Sequence, residues 1–319
     1  ALHDQASLAS DAQERVRLFS GAVQSYNNAL EINTLKSAPE KWMNGQYNLA
    51  VALRDLALAS APEERERILG ESVQAYEKTL NYSRQTAPAE WAQTQYNIAI
   101  VLSYQAESGK KEDRARRLGE AAAAYREALK VHTPKDAPQE HSATQYNLAF
   151  VLRAQALAST GDERVRLRGE AVQAVRESVK GVENPKPLYL VLSQFLGGYS
   201  YELLFAKKPQ EAIDAATEAL ELAPEEIWAA TNLTEGLLLS GQYEKAEALC
   251  RKNARVLLEG NKSFVESVFA DLDALHAAGV THPDVEKFKK QLSPLLTPPD
   301  KTFSGLLPEE QSTQLPLSL

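Results

Sequence analysis

Three nearly identical stretches, Gly45-Gln46-Tyr47-Asn48-Leu49-Ala50, Thr94-Gln95-Tyr96-Asn97-Ile98-Ala99 and Thr144-Gln145-Tyr146-Asn147-Leu148-Ala149, follow one another at spacings of 49 and 50 residues. Self-similarity at such a period marks a solenoid, in which each helical or stranded unit buries its apolar face only by stacking on its neighbours. A chain of 319 residues therefore need not divide into two ordinary globular cores.

Between these stretches run segments with apolar and small residues every three or four positions, the signature of amphipathic helices. Leu18, Ala22, Tyr26, Ala29 and Leu30 form one stripe, and its counterparts are Leu69, Ser72, Tyr76, Thr79 and Leu80, then Leu118, Ala121, Tyr125, Ala128 and Leu129, then Leu167, Ala171, Val175, Ser178 and Val179. Gly21, Gly70, Gly119 and Gly169 recur in these helices, and because glycine costs a helix about 0.5–1 kcal/mol relative to alanine, close backbone approach between neighbours is expected there. The Gln-Tyr-Asn helices begin after Ser37-Ala38-Pro39-Glu40, Thr86-Ala87-Pro88 and Asp136-Ala137-Pro138-Gln139, with a capping side chain two residues before proline and a capping box in the first. Trp42, Trp91 and His141 then stand at matching places. The unit is a hairpin of helix A, bearing Gln-Tyr-Asn, and helix B, each about 20 residues and so roughly 30 Å long.

From about residue 185 the pattern shortens. Ala212, Ala219 and Pro224 fall in one B helix, and Asn232-Leu233, Gly241, Tyr243 and Ala246 in the next unit, with Ala246 34 residues after Ala212. These residues resemble the tetratricopeptide repeat family, and the longer units fit the same pattern with lengthened helices, over residues 1 to about 256. The resemblance implies an all-α, right-handed superhelical solenoid of antiparallel hairpins. Long repeats are expected over 1–184, shorter ones over 185–256, a helical cap over 257–293 and an extended, Pro-rich apolar tail over 294–319. Gly197-Gly198 replaces the asparagine in the divergent A helix near 187–206. Phe264, Val268, Phe269, Leu272 and Leu275, then Val285, Phe288 and Leu292, carry the cap. At the other end, Leu8-Ala9-Ser10 matches Leu58-Ala59-Ser60, so the sequence given starts as if in the last turns of a helix, either a frayed cap or the remainder of a further repeat.

Catalysis finds no support in the motifs, and no enzyme activity is expected. His3, His132, His141, His276 and His282 stand in no nucleophile, metal or general-base pattern, there is no glycine-rich phosphate loop, and no cofactor or metal is called for. Cys250 falls at an apolar B-helix place and reads as a core thiol. Runs such as Glu63-Glu64-Arg65-Glu66-Arg67 and Asp162-Glu163-Arg164-Val165-Arg166 read as solvated helix faces, although Arg114, Arg116, Arg117, Arg164, Arg166 and Arg168 leave room for an arginine-bearing rim. A net charge of −8 argues against nucleic acid or an anionic membrane surface as partner. No apolar run reaches the roughly 18–20 residues of a membrane span. A cytoplasmic setting is the default, and a periplasmic or secreted one follows if a signal peptide precedes Ala1.

Tyr26, Tyr76 and Tyr125 share the B-helix stripe and read as packing residues, whereas Gln46, Gln95 and Gln145 read as contacts between repeats. Tyr47, Tyr96 and Tyr146 adjoin the asparagines and lie either between hairpins or beside a bound peptide. Asparagine is a mediocre helix former, so Asn48, Asn97, Asn147 and Asn232 at one interior place need a reason. A carboxamide both donates and accepts, which suits it to clamp a peptide backbone or to tie its helix to a neighbour as a buried amide. The resemblance implies that A helices line a concave groove and that these asparagines hold peptide backbones there. The function expected is a non-catalytic scaffold or adaptor for a protein or peptide partner. Two other readings are the regulatory or sensor part of a larger enzyme or assembly, and a homo-oligomer whose tail occupies a groove.

Overall fold

The structure is a computed structural model that describes residues 2–180 and 182–296. It is all-α, with antiparallel helices packed in chain order, as the repeat pattern predicts. Among the described residues the sole extended pairing is the bridge between Leu257 and Ser263. Two compact units emerge, one up to Gln155 and one from Ala156. Their boundary lies in the last turn of a helix.

The first unit contains α1 (Leu2–Leu8), α2 (Ala12–Ile32), α3 (Pro39–Ala59), α4 (Pro62–Thr86), α5 (Pro88–Ser108), α6 (Lys111–Ala128) and α7 (Pro138–Leu157). Each of α2 to α6 packs on the next up to the α5–α6 pair. The expected B-helix stripes are its core: Leu69, Ser72, Tyr76 and Thr79 on α4, and Leu118, Ala121, Tyr125 and Ala128 on α6, are at most 1% exposed. Burying such a leucine or aromatic side chain contributes about 1.5–3 kcal/mol. The polar member Ser72 is satisfied, donating from Oγ to the Ala50 carbonyl at 2.7 Å and so joining α4 to α3. The α2 stripe is more open. Leu18 and Ala22 are buried, Tyr26 and Leu30 half-buried and Ala29 exposed, because α2 has α3 on one side and the seven-residue α1 on the other.

Two local expectations need correction. Ser37 does not cap α3: the N-cap is Ala38, without a side-chain cap, because the residue before proline must leave the helical region. One place further out, Ser37 instead closes a turn with Thr34, its hydroxyl accepting from the Thr34 amide at 3.1 Å. Thr86 lies in the last turn of α4, and α5 starts from Ala87 without a side-chain cap. The recurring glycines are not sites of backbone contact either. A β-carbon on Gly70 or Gly119 would meet only the Gln105 or Gln155 amide, at 3.8 Å in each case.

The second unit contains α8 (Gly161–Lys180), α9 (Lys186–Phe205), α10 (Pro209–Leu222), α11 (Ala229–Leu239), α12 (Tyr243–Asn253), α13 (Phe264–Ala277) and α14 (Asp284–Leu292). Leu167, Ala171, Val175 and Ser178 bury the α8 stripe. Ser193 and Ser200 of α9 donate to the carbonyls of Ala219 and Ala212 on α10, both at 2.8 Å. Close approach occurs instead at Gly197, where a β-carbon would sit 2.2 Å from the Trp228 ring. Beyond α12, Ser263 opens α13 with a capping box to Glu266, and α13 and α14 both pack against α11 and α12. Of the tail, Ser293–Leu295 forms a 3-10 turn and residues 297–319 lie outside the described residues.

Candidate functional site

The repeated Tyr-Asn pair forms a ladder between hairpins in the first unit. Asn97 is 5% exposed, and its Nδ2 donates to the Tyr47 hydroxyl of the preceding repeat at 2.7 Å. One repeat on, Asn147 is 4% exposed and donates to the Tyr96 hydroxyl at 2.8 Å. The geometry follows from the period: translation by one repeat lays each asparagine beside the tyrosine one unit back. Asn48, first in the series, is exposed, and Tyr146, last in it, is half-buried with its ring 4.9 Å from Phe150. Asn232 belongs to the second unit, is 3% exposed, and donates to the Gly197 carbonyl at 2.9 Å, tying α11 to α9.

Each ladder tyrosine rests on a buried B-helix tyrosine. Tyr47 meets Tyr76 edge to face at 5.5 Å, and Tyr96 meets Tyr125 at 5.6 Å. Such contacts favour one ring orientation by about 0.5–1.5 kcal/mol beyond area burial. Tyr76 and Tyr125 are the packing residues the stripe predicts, at 0% exposure. Tyr47 and Tyr96 are half-buried, on the same side of their helices as the half-buried Gln93 and Tyr104 of α5 and Arg54 of α3. Burial raises the phenol pKa of Tyr47, Tyr96 and Tyr146, and the Asn97 and Asn147 bonds partly offset this at the first two. These phenols therefore hold their protons at neutral pH. A phenol oxygen that accepts from asparagine still has an O–H to donate.

The other candidates have structural roles. Gln46 is buried at 7% exposure, while Gln95 and Gln145 are half-buried. His141 Nδ1 donates to the His132 carbonyl at 2.9 Å, and burial lowers the His132 pKa, so this pair fastens the turn into α7. His3 lies in α1 with its Nε2 2.8 Å from Asp55 Oδ2, and joins α1 to α3. Cys250 is fully buried, its thiol pushed up to about 12, as a core cysteine should be. Arg116 pairs with Asp113 and Glu120, and Arg166 with Glu163 and Glu170, within their own helices, whereas Arg164 and Arg168 turn toward Glu202 of α9. A shallow depression over Gly70, lined by Glu63, Glu66, Arg67, Glu71, Gln105 and Arg117, uses none of the ladder residues. No helix among the described residues is long and apolar enough to cross a membrane, and among them no His/Cys/Asp/Glu group has the makings of a metal site.

Sequence reasoning did not identify the tyrosine hydroxyl as the asparagine's partner. The signal was present, since tyrosine precedes asparagine in all three long repeats. It also passed over Gln93, whose side-chain amide, like that of Asn97, acts as a donor toward the Tyr47 oxygen.

No protein-family model matches the chain, and no curated protein matches it. Among solved structures, it is similar to the TPR2AB domain of yeast Sti1, in a structure described as that domain's complex with pHSP90. The identity is 14%, covering 93% of this chain and 99% of that one, with a TM-score of 0.30.

Proposed function

We propose that the protein is a non-catalytic scaffold or adaptor whose first unit binds an extended peptide along α3, α5 and α7. In this reading the Tyr47 and Tyr96 hydroxyls donate to peptide carbonyls, and Asn97 and Asn147 act by holding those hydroxyls in place. Asn48 and Tyr146 extend the row at its two ends, and Asn232 contributes by fixing α11 against α9. The observation that carries the reading is the pair of Asn–Tyr bonds. Each uses the phenol oxygen as acceptor and leaves its proton for a ligand on the half-exposed side. A recurring donor at one repeat spacing suits the one feature that all extended peptides share, a regular series of carbonyls.

The test is to select binders from a random-peptide library on the wild-type protein and measure their affinity for the Tyr47→Phe/Tyr96→Phe variant. Each neutral hydrogen bond is worth about 0.5–1.5 kcal/mol net, so two should weaken binding about 5- to 160-fold with helicity unchanged. Unaltered affinity, or a library that yields no binder, would count against the reading.

A further inference from the structure

We propose that α13 is a proton-gated cover on the α11–α12 hairpin, released when Glu235 ionises. Glu235 lies in the apolar run Leu233-Thr234-Glu235-Gly236-Leu237 of α11, is 0% exposed, and has no hydrogen-bond donor to either carboxyl oxygen. A carboxylate left in this condition is among the costliest groups a core can hold. Its neighbour across the α11–α13 contact is another acid, the half-buried Asp271 of α13.

The groups around the pair supply no neutralising partner for Glu235. From α9 comes Tyr201, and beyond it Glu202, which faces Arg164 and Arg168; from α12 comes the Cys250 thiol, with Arg251 turned outward onto Glu247. Lys262, just before α13, acts on Asp271. On α10, apolar Ile213 packs against Gly236, and α14 turns Val285, Phe288 and Leu292 inward while Lys289 pairs with Asp273 on the outside. With a proton on Glu235, its O–H has the Asp271 carboxylate as acceptor, a bond from α11 to α13. Without that proton, two negative charges face each other and neither Glu235 oxygen has a donor. Moving α13 away to admit water relieves both costs.

Burial, and then the Asp271 charge, raise the Glu235 pKa well above the usual carboxylate range, and burial raises Asp271 as well. A raised folded-state pKa gives stabilisation that is complete below the unfolded value near 4.5 and is lost as pH rises through the folded value. The cover therefore closes toward acid and opens toward alkali.

Cys250, the chain's one cysteine, reports the opening: it sits in α12 at 0% exposure, and a thiol in that state is unreactive. The full chain and its Glu235→Gln variant are treated with iodoacetamide from pH 5.5 to 9.5, with hydrogen exchange of the α13 amides followed in parallel. Taking the ratio of the two proteins cancels the intrinsic pH dependence of both reactions. The ratio should be lowest at pH 5.5, climb by up to tenfold per pH unit as pH rises from the free carboxylate value toward the folded-state pKa, and level off above it, in both readouts. Asp271→Asn removes the opposing charge and so lowers the folded-state pKa of Glu235: its climb should level off at lower pH and at a smaller ratio; this variant keeps Glu235 and serves if the Glu235→Gln change disturbs packing. A flat ratio would overturn the proposal. So would a climb that persists in Glu235→Gln, or one whose height and end Asp271→Asn leaves unchanged.

Discussion

Adding one methyl group at Gly197 is expected to destabilise the second unit by about 3 kcal/mol, at the upper end of the usual range for overpacking. The new β-carbon would lie 2.2 Å and 2.6 Å from two atoms of the Trp228 ring, a rigid neighbour that has no flexible end to swing aside. Trp228 is also held by its indole N–H donating to Glu226. Relief must therefore come from separating α9 and α11, which would also strain the bond from Asn232 to the Gly197 carbonyl. Thermal melting of Gly197→Ala should show a fall of roughly 6–12 °C, on the scale of about 2–4 °C per kcal/mol for a domain of this size. Combining it with Trp228→Leu should cost less than the sum of the two changes, because they share one space. An additive result, or an unshifted melt, would refute the steric account.

At Tyr76, two substitutions should move stability in different ways. Tyr76→Ala removes a ring that is 0% exposed on α4 and supports Tyr47 from below, and should cost about 3–5 kcal/mol, the range for deleting a buried aromatic side chain. Tyr76→Phe removes only a hydroxyl that is buried without a hydrogen-bond partner and whose pKa lies far above the usual phenol value because of burial. Leaving such a group unsatisfied costs about 1–3 kcal/mol, so the phenylalanine variant should be as stable as the wild type or more so. Chemical denaturation of both variants checks the pair. A large loss in Tyr76→Phe would show that this hydroxyl has a partner.

The helical architecture was legible because solenoid physics writes itself into periodicity: the stripes at Leu69, Leu118 and Leu167 are the buried faces of α4, α6 and α8. The helices bearing Phe264 and Phe288 were legible for the same reason. Local chemistry was harder to read. Ser37 has a good capping residue type, but its position relative to Pro39 and the competing hydroxyl of Thr34 decide its bond. The glycine register suggested backbone contact, yet Gly70 receives a glutamine side chain, and the true close approach is at Gly197, which the pattern marked only as a missing asparagine. The candidate site was half legible. A period selects which residues recur, while the partner of a recurring side chain depends on the offset between stacked hairpins, which periodicity does not carry. Glu235 illustrates the same limit. Its place in an apolar run was visible, but not that Asp271 would be its neighbour.

The central claim is that Asn97 and Asn147 act through Tyr47 and Tyr96. The most direct measurement compares the affinity of one selected peptide for three variants: Asn97→Ala/Asn147→Ala, Tyr47→Phe/Tyr96→Phe, and the combination of all four changes. If the asparagines only hold the hydroxyls, the fourfold variant should bind as weakly as the tyrosine pair and no more weakly. Losses that add across the two pairs would mean that the asparagines touch the peptide themselves, and would contradict the ladder as the binding device.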